Sequence, residues 1–138
     1  MSANLDLVRS IFAAWGRGDF SSVEWADQEI ELVAVDGPEP GSWSGQAGMA
    51  NAWRDFLRAW EAWRVEADQY REVDEERVLV LGTFSGRGRT SGFELGELGT
   101  HGANVFHIRD GKVARLIIYW DRDRALADLG LTLEDDTP

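Results

Sequence analysis

The sequence lacks cysteine and has few prolines and histidines. Its 138 residues include no cysteine, three prolines and two histidines. The absence of cysteine excludes disulfides, thiolate nucleophiles and thiolate zinc sites in this chain, and it is compatible with the cytoplasm, where we expect the protein. The two histidines, His101 and His107, have no clustered third ligand, so we predict neither a metal centre nor a cofactor.

Basic residues and long apolar runs are also scarce. The chain has 14 Lys and Arg against 25 Asp and Glu, a formal net charge of -11. Such a surface repels phosphate backbones and anionic lipids, and no stretch approaches the ~20 apolar residues of a membrane span. We therefore expect no nucleic-acid or membrane partner. The length predicts a single domain over residues 1–130, followed by an acidic tail over 131–138.

Tryptophan is abundant by contrast, with seven residues. Large aromatic side chains dominate core packing, so these residues are expected to fill the core and the seams between helices and sheet. The alternative is an aromatic-walled cavity for an apolar ligand. Both interpretations stay open, because they can hold for different tryptophans.

Apolar spacing predicts the helices. Residues 3–16 and 46–63 repeat apolar side chains at helical intervals, the second helix following Ser44 as its N-cap. Asp19 predicts the start of a short helix that presents Phe20, Val23 and Trp25. Residues 36–45, rich in Pro and Gly, are expected to form a loop.

Alternating and β-rich segments predict the strands. Strands are expected at 29–35, 65–73, 77–85 and 93–98, the last one leading into a long hairpin at 99–121. Asp110-Gly111 is the hairpin turn, because glycine supplies the positive φ of a primed turn. A flexible connection at 86–92 and a final helix over 122–129, capped by Asp121 and ended by Gly130, complete the elements.

The hairpin residues alternate between two faces. One face, taken as inward, carries Asn104, Phe106, Ile108, Leu116, Ile118 and Trp120. The outer face carries His107 and the apolar or long side chains Val105, Arg115, Ile117 and Tyr119. Because this outer face is less polar than a free surface, we predict a homodimer formed through it.

Helices followed by consecutive antiparallel strands indicate the α+β class. The predicted architecture is a cone-shaped α+β barrel, a curved and mostly antiparallel sheet wrapped around the N-terminal and long central helices. A cone of this kind has an open mouth, through which a small apolar ligand would enter.

Several motifs resemble those of the nuclear transport factor 2-like superfamily, which includes ketosteroid isomerase and SnoaL-like polyketide cyclases. They are Gly-Arg-Gly-Asp-Phe at 16–20, Trp-Ser-Gly at 43–45, Phe-His-Ile-Arg-Asp-Gly-Lys-Val at 106–113 and Tyr-Trp-Asp at 119–121. The resemblance covers about residues 4–130. It implies the cone-shaped fold, which hosts several kinds of enzyme as well as members that only bind or dimerise.

The comparison with ketosteroid isomerase implies site residues. Its general-base aspartate precedes a Ser-Gly by nine residues, as Asp36 precedes Gly45 here, and its second carboxyl corresponds to Asn104. Ile11 stands near the position of the family's tyrosine donor, so one hydrogen-bond donor is absent. Alternatively, Asp36 is a turn-forming residue and Asn104 is paired to a backbone edge.

The remaining candidates are a third catalytic residue and the walls of the cavity. His101, near the start of its strand, could reach the rim of the mouth. The expected substrate-binding residues are Trp15, Trp43, Trp53, Phe56, Phe106, Leu116, Ile118 and Trp120.

Three functions follow from these candidates. The first is a cofactor-independent isomerase, dehydratase or cyclase that acts on an apolar carbonyl compound with Asp36 as its base, a mechanism taken from the resemblance. The second is non-catalytic binding of an apolar ligand in the same cavity. The third is a dimerisation module, for which the cone would be filled by side chains.

Overall fold

The computed structural model describes residues 3–20, 22–36, 40–88 and 94–131. The elements in chain order are α1 (Ala3–Gly16), β1 (Ala26–Ala34), β2 (Gly41–Ser44), α2 (Gly45–Ala59), β3 (Trp60–Glu72), β4 (Arg77–Gly88), β5 (Glu94–Arg109), β6 (Lys112–Tyr119) and α3 (Arg122–Leu129). Residues 132–138 of the predicted tail and 89–92 of the predicted connection lie outside the described residues.

All six strands belong to one curved, unclosed sheet with the order β2-β1-β6-β5-β4-β3. Strands β3 to β6 are antiparallel neighbours in sequence order, whereas β1 runs parallel to β6. The predicted α+β class and cone-shaped architecture are confirmed.

The β5-β6 hairpin forms as predicted. Asp110 and Gly111 have φ angles of 53° and 76°, the left-handed conformations that a primed turn requires at both central residues. The pairing places Asn104 opposite Ile118 and Phe106 opposite Leu116. The two inward rows of the hairpin therefore lie side by side.

The two faces of the sheet carry separate cores. The concave-face core joins α1 and α2 to the sheet and contains Phe12, Trp15, Trp53 and Phe106 among its buried residues. The convex-face core lies under α3 and consists of Leu79, Leu81, Ala103, Val105, Tyr119, Ala125 and Leu126. Strands β4, β5 and β6 contribute alternate residues to the two cores, as their pleat requires.

The predicted short helix after Asp19 is wrong. The described residues between Gly18 and Ala26 form turns, one of which is closed by the N–H of Ala26 donating to the carbonyl of Val23. Phe20, Val23 and Trp25 all pack against the concave-face core. On a helix, side chains five residues apart point to different faces, so Phe20 and Trp25 could not both reach it.

The central helix ends earlier than predicted. It stops at Ala59, and Trp60 to Trp63 begin β3. Ala62 has a φ of 51° and the β3-β4 register shifts there, so the strand carries a bulge. The bulge lets Trp60 and Trp63 join the same aromatic cluster, and their spacing of three residues imitates a helical repeat.

Two further predictions need correction. Gly41–Ser44, expected to be loop, forms strand β2 and pairs with β1. On the outer face of the hairpin, Val105 and Tyr119 are only 1% and 5% exposed because α3 covers them. The apolar surface that led to the homodimer prediction is thus partly covered within the chain itself, and the homodimer stays a prediction.

Candidate functional site

A small pocket lies on the concave side of the sheet, and its lining residues come from α1, α2 and all six strands. It encloses about 70 Å³ and is partly open to solvent. Six of the predicted binding residues line it: Trp15, Trp43, Trp53, Phe56, Ile118 and Trp120. The other two, Phe106 and Leu116, are fully buried in the concave-face core and do not line the pocket.

Aromatic rings build one end of the pocket, around Trp63. Its ring centroid lies 4.7 Å from that of Phe56, 5.3 Å from Trp60, 5.7 Å from Trp120 and 5.9 Å from Phe84. The pair with Phe56 is edge to face, a geometry that the aromatic quadrupole favours, and the other three pairs are tilted. The end of the pocket is therefore a wall of ring carbon.

Sequence reasoning missed six lining residues. They are Leu32, Ala34, Ala52, Trp63, Val65 and Phe84. The alternation of Leu32 and Ala34 with Asp36 along one strand could have predicted the first two. Trp63 was missed because it was assigned to the helix.

Asp36 lies in the pocket wall, just beyond the end of β1. Inward positions alternate along this strand through Ile30, Leu32 and Ala34, which brings the side chain of Asp36 to the same face. Its carboxylate accepts hydrogen bonds from the backbone N–H groups of Trp120, at 2.5 Å, and of Asp121, at 3.3 Å. These contacts fix the carboxylate, and a carboxylate has about four acceptor positions, so two stay available to a ligand.

Asn104 lies in the same wall, on β5. It is 2% exposed, and its Oδ1 atom is buried without a hydrogen-bond partner. A buried amide oxygen without a partner is uncommon, because its desolvation is not offset. A rotation of 180° about the last side-chain bond would present the amide N–H groups instead, so Asn104 can either accept or donate.

The sheet register gives the relative placement of the two residues. Asn104 pairs with Ile118, which pairs with Ala34, and Asp36 follows two residues later. Two strand spacings across and two residues along give a Cα separation of about 12 Å on a flat sheet. The curvature of the sheet brings the inward side chains closer together. The carboxylate and the amide can thus contact opposite sides of a small molecule.

Both histidines lie on the convex side. His101 is exposed, and it alternates with Ala103 and Val105 of the convex-face core, so the structure places it away from the pocket and not at its rim. His107 stands between Arg77 and Arg115 in the register. Partial burial and these two cations lower its pKa. Its predicted position on the outer face is confirmed.

Among the described residues, no group of three His, Cys, Asp or Glu side chains is arranged to hold a metal ion. No helix in this part of the chain has the length and apolar character needed to cross a membrane.

Comparisons with known proteins agree with the fold. The family model of the SnoaL-like domain matches residues 8–116. No curated protein matches the sequence. Among solved structures, TerC co-crystallised with polyporic acid is 20% identical, with a TM-score of 0.72 and coverage of 93% of this chain and 98% of that one.

Two other solved structures extend the comparison. A Sinorhizobium meliloti protein described provisionally as a polyketide cyclase is 22% identical, with a TM-score of 0.66 and coverage of 86% of this chain and 99% of that one. A hypothetical protein from Catenulispora acidiphila with a ketosteroid isomerase-like fold, solved in complex with trimethylamine, is 15% identical. Its TM-score is 0.68, and the match covers 96% of this chain and 98% of that one. At these identities the structures support the fold.

Proposed function

Because the chain belongs to the SnoaL-like domain family, we propose that it is a small-molecule enzyme of isomerase, dehydratase or cyclase type that acts on an apolar carbonyl compound. The observation that supports this function is the presence of Asp36 and Asn104 in the wall of one apolar pocket. The relative described as a polyketide cyclase supports the same class of chemistry.

In the proposed reaction, Asp36 removes a proton from the carbon next to the substrate carbonyl. The carbonyl oxygen gains negative charge, and an N–H group of Asn104 donates a hydrogen bond to it. Asp36 then returns the proton to a different carbon or to the leaving oxygen. The aromatic and aliphatic walls keep water away from the reacting carbon. No cofactor takes part in this scheme.

Exchange of solvent deuterium into small aromatic ketones such as 2-tetralone tests the proposal, because it requires only the proton-transfer step. With Asp36→Asn we expect the exchange rate to fall by about a hundredfold or more. Asp121→Asn is the matched control, since it removes the same charge from a neighbouring residue outside the pocket. Asparagine also caps helices well, so α3 should be preserved. Equal exchange by the wild type and a folded Asp36→Asn variant would remove Asp36 from the mechanism.

The second candidate function is non-catalytic binding of a ligand in the same pocket. It is favoured by the two hydrogen bonds of Asp36, since a carboxylate that anchors the end of β6 has a structural role without any chemistry. Tryptophan fluorescence that changes with an aromatic ketone, together with no deuterium exchange, would support binding alone.

The homodimer is a separate proposal. It now depends on Ile117 and Arg115, which α3 leaves partly exposed on the outer face. Sedimentation at the mass of two chains in dilute solution would support it, and a monomer mass would contradict it.

A further inference from the structure

The pocket has an uneven charge balance. Asp36 is the one ionisable side chain among the described residues that line it, and none of these residues is Lys, Arg or His. Elsewhere in the described chain, carboxylates such as Asp68 and Glu31 have arginine partners. Within the described part of the chain, the half-buried carboxylate of Asp36 is held by two backbone N–H groups, which carry no net charge. A positively charged ligand would supply the missing counter-charge.

The aromatic walls favour a cation for a second reason. Trp63, Trp120 and Phe84 line the same pocket, and a ring face carries negative potential that attracts an ammonium group, most strongly for tryptophan. The Nε1 atoms of Trp53 and Trp63 are shut off from solvent. The surface that these two indoles offer the pocket is therefore ring carbon, and not an N–H donor suited to an anion.

The polar group that the pocket offers acts in the same direction. The carboxylate of Asp36 is an acceptor, to which an ammonium N–H group can donate. The Oδ1 atom of Asn104, like the Nε1 atoms of Trp53 and Trp63, is shut off from solvent and is not offered to the ligand. The carboxylate of Asp36 does not complement a carboxylate or phosphate ligand.

From these three observations we infer that the pocket binds small hydrophobic amines in their protonated form, with the ammonium group paired to Asp36 beside the ring of Trp120. The inference goes beyond the proposed enzyme and does not depend on turnover. An amine in this position would occupy the acceptor positions of Asp36, so it would also inhibit the proposed proton transfer. The net charge of -11 adds a long-range attraction for cations.

Three ligands of the same shape and different charge test the inference: benzylammonium, benzyl alcohol and benzoate. Their affinities are measured by calorimetry with the full chain at neutral pH. We expect benzylammonium to bind about tenfold or more tightly than benzyl alcohol, and benzoate to bind most weakly. Equal affinities, tighter binding of benzoate, or no binding of benzylammonium at about 10 mM would overturn the inference.

Two variants locate the binding. Asp36→Asn should reduce the preference for benzylammonium over benzyl alcohol to within about threefold, whereas the control Asp121→Asn should keep it. Trp120→Leu should weaken benzylammonium more than benzyl alcohol, because only the cation loses a cation–π contact. A preference retained in a folded Asp36→Asn variant would contradict the pairing.

The outcome is distinguishable from that of the proposed enzyme. Ketone exchange without amine preference would support catalysis and overturn this inference. A preference for the amine without ketone exchange would support this inference and contradict the proposed enzyme.

Discussion

The two faces of the sheet are packed with different materials. Under α3, the convex face is filled by aliphatic side chains such as Leu79, Leu81 and Val105, all at most 2% exposed. The concave face combines aliphatic side chains such as Val8, Ile30 and Leu116 with a network of aromatic rings, several of which meet edge to face. The pocket lies on the face that carries these rings. Space for a ligand is thus found beside the aromatic network.

The faces also differ in how their polar groups are satisfied. On the convex side, the hydroxyl of Tyr119 donates to Asp128. Three described buried atoms without partners lie on the concave side, in Trp53, Trp63 and Asn104, and a fourth is the Nε of Arg122 at the start of α3. Each such atom costs about 1–3 kcal/mol. The concave side is therefore less than optimally stable at the place where a ligand would bind.

The largest expected effect is a loss of stability, which should be greater for a substitution in the filled part of the concave face than for one in the pocket wall. Phe106 is fully buried and contacts Phe12 and Trp15, so Phe106→Ala should lower the free energy of unfolding by about 3–5 kcal/mol. Phe56 lines the pocket and is only partly buried, so Phe56→Ala should cost less than half as much. Urea denaturation measures both. Similar losses would mean that the pocket is no looser than the core.

The next prediction compares the two faces by one substitution made in two helices. Ala125 is fully buried on the inner side of α3, and Ala125→Leu should overpack the convex face and cost about 1–3 kcal/mol. Ala52 lines the pocket from α2, so Ala52→Leu should change stability little while it fills the space. Urea denaturation and benzylammonium binding are measured for each variant. Retained benzylammonium binding by Ala52→Leu, or equal destabilisation by the two substitutions, would contradict the difference between the two faces.

The smallest effect concerns a tyrosine on each face. Burial and the hydrogen bond with Asp128 raise the pKa of Tyr119 to about 12. Because this pKa lies above that of the same tyrosine in the unfolded chain, protonated Tyr119 stabilises the folded chain. This contribution is complete below pH 10 and is lost as the pH rises toward 12. At pH 11 the free energy of unfolding has fallen by about 1.4 kcal/mol. On the concave side, burial raises the pKa of Tyr70, and Arg9 opposes the change.

The measurement is urea denaturation between pH 9 and pH 11. Tyr119→Phe should remove most of the loss of stability over this range, and Tyr70→Phe should remove less. A Tyr119→Phe variant with the full wild-type loss would show that another group is responsible.

Local signals predicted most of the fold. The Asp110-Gly111 turn, the N-cap Asp121 and the C-cap Gly130 each depend on a few neighbouring residues, and all three form in the structure. The end of α2 was not predictable in this way, because Trp60 and Trp63 continue an apolar helical spacing although they lie in a bulged strand. The spacing of apolar residues carries no information about the positive φ at Ala62, where the strand bulges.

The candidate site was predicted in part. Strand alternation brings Asp36, Ile118 and Asn104 to the pocket. Such alternation can be predicted from the sequence. The hydrogen bonds from Trp120 and Asp121 to Asp36 join residues 84 and 85 positions apart, and no local pattern predicts them. His101 was misplaced although the alternation that puts Asn104 and Phe106 on the inward face, extended back along β5, puts His101 on the outer face.

The parallel pairing of β1 with β6 sets an order of assembly. Strands β3 to β6 are joined by neighbours in sequence and can form a sheet by successive hairpins. β1 can pair early with β2, but it must wait for β6 before it joins the rest of the sheet, and only then can Asp36 contact Trp120. Contacts of such long sequence separation form slowly. The wall that carries Asp36 is therefore completed last. Until then the aromatic side of the sheet is exposed to solvent, where it can aggregate or bind a chaperone.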